Sequence, residues 1–293
     1  MAAKILAGIT DRWKSCAFLL TALMEQGAKV AAAQLELVRP HLAEGDVEPD
    51  FFCSILGKAR RLSASIVALI GEDHTLYSIN ARWTMLREQL KEGIAALAEA
   101  ILALRRGVQS RFKKPDLLAL GLQSPRDRRS EPLVRQADLI GTAFERDDLD
   151  ELLGEDRHEG TDPRVPAAQV REAAAALRST QDELNKIRRR HDEALLKKNE
   201  LVKEHDELFI YTARSFEADC RLAGFKELAK RVRPSVSRPG RTEEEPDEDG
   251  LPPTPEPGQD ASTFLSTLPG GELPALEEAV ESVETTPAES ATE

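Results

Sequence analysis

Aromatic residues make up only 4% of this 293-residue chain, while Ala, Leu, Glu and Arg dominate it. Strands usually draw on β-branched and aromatic side chains, so a sheet-based fold is excluded on composition and the body reads as all-α. Cysteine is equally scarce. Cys16, Cys53 and Cys220 are an odd number, far apart, with no C-x-x-C pair. That pattern fits neither a zinc site nor a disulfide framework, and reduced, buried thiols are expected. No apolar run approaches the roughly 18–20 residues that span a bilayer, so no transmembrane segment is expected. Glu25 and Lys29 argue against a cleaved leader ending near residues 31–33, which leaves a cytoplasmic location as the expectation.

Catalytic signatures are missing as well. The sequence has no phosphate-cradling Gly-x-x-x-x-Gly-Lys, no Gly-x-Gly-x-x-Gly and no nucleophile elbow. A di-iron carboxylate bundle needs Glu-x-x-His on two helices, and only Glu155 and His158 stand at that spacing, in a Gly-bounded loop. His191 and His205 lie two heptads apart, about 21 Å along a helix, too far to share a metal. No enzyme activity, cofactor or metal is expected.

Charge is present but sorted. Residues 1–233 carry 38 Lys and Arg against 37 Asp and Glu, whereas residues 234–293 carry 2 against 15, so the net charge of −12 lies in the tail. The tail also holds 10 of the 17 prolines, and six of its residues 243–249 are acidic. Self-repulsion and sparse apolar surface predict a disordered acidic, Pro-rich tail over residues 234–293. Within it Pro274 can open a short helix that places Leu276, Val280 and Val283 on one side, a candidate partner-docking peptide.

The body shows continuous helical seams. Ile9, Trp13, Cys16, Leu20, Leu23, Gly27 and Val30 recur at alternating spacings of four and three, and Pro40 stops them. A second seam opens at Asp46 and Pro49 and runs Phe52, Ile55, Ala59, Leu62, Ile66 and Leu69 to Gly71. A third follows Thr75, read as an N-cap, through Leu76, Ile79, Trp83, Leu86, Leu90, Gly93, Leu97, Ile101 and Leu104. Gly27 and Gly93 sit on these seams, where a missing side chain permits close approach. Both tryptophans and Cys16 and Cys53 are assigned to core packing.

Residues 111–131 break the pattern as a basic connector, with a turn at 116–120 closed by Gly121 and Leu122. A helix restarts at Ser130 and Pro132 and runs to about Leu153. Between residues 167 and 223 there is neither Gly nor Pro, which predicts one helix of ~85 Å ended by Gly224 and Phe225. Its seam is interrupted by His191, Lys198 and His205, so its middle is expected to be partly exposed and to meet another chain. The predicted fold is an antiparallel helical bundle with one very long C-terminal helix. Residues 1–110 give a three-helix part, residues 132–233 complete it, and the acidic tail follows.

Two basic clusters are the candidate phosphate-binding residues. The first is Arg105, Arg106, Arg111, Lys113, Lys114, Arg126, Arg128 and Arg129, and the second includes Lys226, Lys230, Arg231 and Arg233. Few aromatics accompany them, so base stacking is poorly supported, and cations near helix C-termini also complement the macrodipole. The reading that follows is a non-enzymatic helical scaffold or adaptor acting through its long helix and tail, with protein partners that include a second copy of itself. The alternative is a nucleic-acid binder whose acidic tail competes for the basic clusters.

Overall fold

The structure, a computed structural model, describes residues 7–124, 129–156, 162–244, 251–256 and 258–268. Seven α-helices occur among them and no strand: α1 (Ala7–Val38), α2 (Phe51–Arg111), α3 (Ser130–Phe144), α4 (Leu149–Leu153), α5 (Arg164–Leu222), α6 (Lys226–Arg231) and α7 (Ala261–Ser266). The fold is an all-α antiparallel bundle with a 59-residue helix in its C-terminal half. It divides into two compact units, Met1–Thr75 with Ala194–Glu293 (unit 1), and Leu76–Glu193 (unit 2). The two longest helices, α2 and α5, contribute residues to both.

Unit 1 is a three-helix bundle of α1, the first part of α2 and the last part of α5. Ile9, Trp13, Cys16, Leu20 and Leu23 of α1 pack with Ile55, Leu62, Ile66 and Leu69 of α2 and Phe209, Phe216 and Cys220 of α5. The α1 seam is thus core, as its spacing requires. Gly27 makes the close approach expected of it, since a Cβ there would lie 2.9 Å from Ile55 Cγ2. By length and composition Gly8–His41 is also apolar enough to cross a membrane, contrary to the expectation from run length. More than half of that apolar stretch is buried inside unit 1, which accounts for its hydropathy by packing.

In unit 2 the second part of α2 packs antiparallel to the first part of α5, with α3 and α4 against them. The core holds Leu97, Ile101, Leu104, Leu133, Ile140, Phe144, Leu153, Val170 and Leu177. Gly93 again allows close approach, 3.1 Å from a hypothetical Cβ to Leu177 Cδ1. The turn at 116–120 closes as a Schellman motif. Gly121 has φ +70°, Leu122 N–H donates to Leu117 O at 2.8 Å, and the Leu122 side chain is fully buried. The same motif ends α5, where Gly224 has φ +84° and Phe225 N–H donates to Cys220 O at 2.8 Å.

Four readings are corrected. The break expected between Gly71 and Thr75 is absent, and α2 runs unbroken for 61 residues. Thr75 Oγ1 donates to Gly71 O at 3.0 Å within the helix instead of capping a new one, so the described part of residues 1–110 holds two α-helices where three were expected. The start of α2 is set by Asp50, whose Oδ1 accepts from Cys53 N–H at 2.8 Å, and this leaves Cys53 exposed rather than in the core. The helix expected from Pro132 to Leu153 is split into α3 and α4 around an Arg146–Asp148 ion pair. Finally, the ordered chain extends beyond residue 234. Pro234 and Thr242 form an isolated bridge, and Phe264, Leu265 and Leu268 are buried in unit 1. Three apolar side chains, two on α7 and one just after it, outweigh the polar composition around them.

The strap formed by residues 234–244 lies tightly on the bundle. Arg12 of α1 grips Asp206 of α5 through two hydrogen bonds, Nε to Oδ1 at 2.7 Å and Nη2 to Oδ2 at 2.8 Å. Gly240, at φ +71°, passes so close that a Cβ would sit 2.0 Å from Asp206 Oδ1. Replacing Gly240 by alanine adds both a clash and an unfavourable backbone, and is expected to cost about 2–3 kcal/mol. Limited proteolysis should then cut residues 234–244 sooner than in the parent chain.

Candidate functional site

The seam of unit 2 continues past its three-layered core. Leu76 and Leu86 of α2 are buried yet belong to neither hydrophobic core. Here α2 and α5 run as a pair, pinned by Arg82 Nη2 to Glu183 Oε2 at 3.2 Å and by an edge-to-face contact of Trp83 and His191 with centroids 4.9 Å apart. Ile79 and Trp83 from α2, with Leu184, Ile187 and His191 from α5, are only partly buried along this stretch, and Leu90 packs at the edge of the unit 2 core. Packing side chains on a two-helix pair leaves one flank of each seam open to solvent, which a third and fourth helix would close. Arg188, Arg189 and Arg190 lie beside it, all exposed.

The polar interruptions of the α5 seam behave differently from one another. His191 keeps part of its side chain, 18%, exposed, as expected. Lys198 and His205 are buried, which corrects the expectation of an exposed middle. Lys198 Nζ pairs with Asp73, and Lys197 Nζ pairs with Glu72 Oε2 at 2.7 Å. His205 Nδ1 lies 3.2 Å from Ser65 Oγ, while Nε2 has no partner among the described residues. Burial pushes the His205 imidazole down to about 4, with Asp206 opposing and Arg12 assisting. Since both side chains are buried inside unit 1, they no longer argue for a second chain at positions 198–205.

The first basic cluster does not converge. Arg105 Nη1 donates to Ser124 Oγ, and Arg106 reaches Glu99 at 3.8 Å. Arg111 donates to Asp156 through Nε at 2.9 Å and through Nη2, and its guanidinium lies 5.1 Å from the Phe112 ring centroid. Its pKa is raised by that hydrogen bond. Lys113 pairs with Glu155 at 2.8 Å, and Lys114 takes φ +51° in the same turn. A cleft of about 460 Å³ beside them is lined by both signs of charge, Arg111 and Arg164 against Asp150, Asp156 and Asp162. Arg129 precedes α3, and Arg126 and Arg128 lie outside the described residues.

In the second cluster Lys226 is exposed at the start of α6, and Lys230 pairs with Glu227 at 3.2 Å. Arg231 stacks over Phe18 at 4.9 Å from the ring centroid. Arg233 is held by Glu217 at 3.1 Å and by Glu243 at 3.4 Å, and its pKa is raised chiefly by Glu217. Arg233 therefore braces the strap onto α5, while Lys226, Lys230 and Arg231 stay exposed. The docking peptide of Leu276, Val280 and Val283 lies outside the described residues.

Among the described residues no group of three or more His, Cys, Asp or Glu is placed to hold a metal ion. Burial holds the Cys16 thiol well above its ordinary range and raises Cys220 to about 12, so neither is a ready nucleophile. The exposed Cys53 is also shifted upward, by its hydrogen bond to Asp50. Sequence reasoning missed α7. Its signal was present as Phe264, Leu265 and Leu268 following Asp260, a capping residue type, but the acidic surroundings masked it. No family model matches the chain, and no curated protein or solved structure is significantly similar to it.

Proposed function

We propose that this protein is a non-enzymatic helical scaffold that acts through protein–protein contacts, with the open α2/α5 face of unit 2 pairing with a second copy of the chain. The observation that carries the reading is the incompletely buried seam of Ile79, Trp83, Leu184, Ile187 and His191 on a two-helix stretch. Two such pairs brought together by a two-fold axis make a four-helix arrangement that covers all four seams. The acidic tail, with Leu276, Val280 and Val283, is the segment proposed to recruit further protein partners.

Trp83 reports on this contact directly. The chain has two tryptophans, so a Trp13→Phe variant leaves Trp83 as the sole indole. Its emission is expected to shift to the blue as concentration rises from nanomolar to tens of micromolar. Emission independent of concentration would count against the pairing.

One observation favours the nucleic-acid alternative. Glu243, the first residue of the acidic run, already sits on Arg233, as tail competition for a basic cluster requires. A full-length variant with Glu245, Asp247, Glu248 and Asp249 changed to Gln or Asn would then bind a labelled generic duplex at least tenfold more tightly than the parent chain at low salt. The scaffold reading expects no gain. Pairing of Arg111, Lys113 and Arg233 with carboxylates of their own fold supports that expectation.

A further inference from the structure

The helix α7 is too short to be stable by its own hydrogen bonds, since isolated helices below about 12–15 residues are marginal in water. Its helicity comes from where it sits. Phe264, Leu265 and Leu268 form one face, all three buried in unit 1, while Ser262, Thr263, Ser266 and Thr267 face solvent. The Phe264 ring meets Trp13 of α1 edge to face, with centroids 5.2 Å apart. Ser63 of α2, itself wholly buried, donates its hydroxyl to Ala261 O at 3.1 Å. A floor from α1 and α2, an aromatic anchor and a buried polar pin are the components of helix-in-groove recognition.

The segment reaches this seat on a tether built like a linker. Residues 243–260 hold eight acidic residues and five prolines. Such a composition packs sparingly by itself, and between the strap and α7 the described residues add only Leu251, packed against the unit 1 core, and a buried Pro255 to the three apolar side chains of the segment. Elements seated by few contacts open at the low end of a protein's local stabilities.

We propose that the surface of unit 1 beneath α7 is a helix-binding groove, and that residues 261–268 are its built-in occupant. The outside ligand is a short amphipathic helix from a protein partner, with an aromatic residue followed by aliphatic residues at the next and fourth positions. The cis segment is the template for that chemistry and also its competitor, because tethering gives it an effective concentration on the order of millimolar. The groove is separate from the α2/α5 face and stands or falls independently of it.

The test uses the full-length chain and a labelled peptide of residues 258–268, followed by fluorescence anisotropy. Phe264→Asp breaks the cis occupant while leaving Trp13 and Ser63 in place. The peptide is expected to bind this variant at least tenfold more tightly than the unaltered chain, and a peptide carrying the same Phe-to-Asp change is expected not to bind. Equal affinity for both chains, or no binding to a cooperatively folded variant, overturns the proposal. Should the variant fail to fold, hydrogen exchange on the unaltered chain decides. Amides of residues 264–268 are expected to exchange at least tenfold faster than those of α1 around Trp13, whereas exchange only together with α1 would make α7 a fixed part of the core.

Discussion

Replacing Lys198 with methionine is expected to lower the unfolding free energy by about 3–5 kcal/mol. The Lys198 and Asp73 side chains are only 9% and 5% exposed, and they pair across α5 and α2 in unit 1. Methionine keeps most of the length of the lysine stem but removes the positive charge that Lys198 Nζ sets against the buried Asp73 carboxylate. The cost is therefore mainly that of keeping a buried carboxylate with less compensation, not the worth of one exposed ion pair. Combining Lys198→Met with Asp73→Leu removes both charges and is expected to restore most of the loss, since an apolar pair of similar volume is often neutral or better. Denaturant unfolding of the four members of this cycle measures it, and a single-variant loss below about 1 kcal/mol would show that water reaches the pair.

Acid is expected to weaken unit 1 through His205 over a defined window. The folded-state pKa lies near 4, below the ordinary 6.5, because burial disfavours the imidazolium. Above 6.5 the ring is neutral in both states and costs nothing. As pH falls through 6.5 the unfolded chain takes up a proton that the folded chain refuses, so stability declines until the folded pKa is reached. The loss totals about 3 kcal/mol and levels off below pH 4. Arg12 faces the ring from α1 and adds to the shift, Asp206 on α5 opposes it, and Ser65 on α2 contributes a hydroxyl that carries no charge. A His205→Gln variant should lose this extra slope while keeping the acid sensitivity of the carboxylates shared with the parent. Parallel pH profiles for the two chains would contradict the assignment.

Both effects come from groups that the linear pattern marked but could not place. Lys198 and His205 stood out as polar positions on an apolar seam, and their partners Asp73 and Ser65 are more than a hundred residues away. Periodicity reports which face a residue occupies, not what opposes it. Local backbone chemistry was more legible. Gly121 with Leu122 and Gly224 with Phe225 announced their Schellman motifs, and Pro40 marked a real boundary at the end of α1. Thr75 misled because its hydroxyl serves equally well as an N-cap or as a bond to the carbonyl four residues back, and tertiary packing on both sides of Gly71 decided for the latter.

The same division holds for the candidate sites. The basic clusters were legible as charge, but their pairing with Asp156, Glu155 and Glu217 depends on the fold. The open face around Trp83 was read as core because seam position does not count how many helices meet there. Composition averaged over the tail concealed Phe264, although three apolar side chains suffice to seat one and a half turns of helix against Trp13.

Pairing of the α2/α5 face is the central claim, and light scattering on the full-length chain at tens of micromolar tests it most directly. The account predicts twice the monomer mass for the parent and the monomer mass for Trp83→Glu, with cooperative unfolding retained. A monomeric parent chain at that concentration would contradict it.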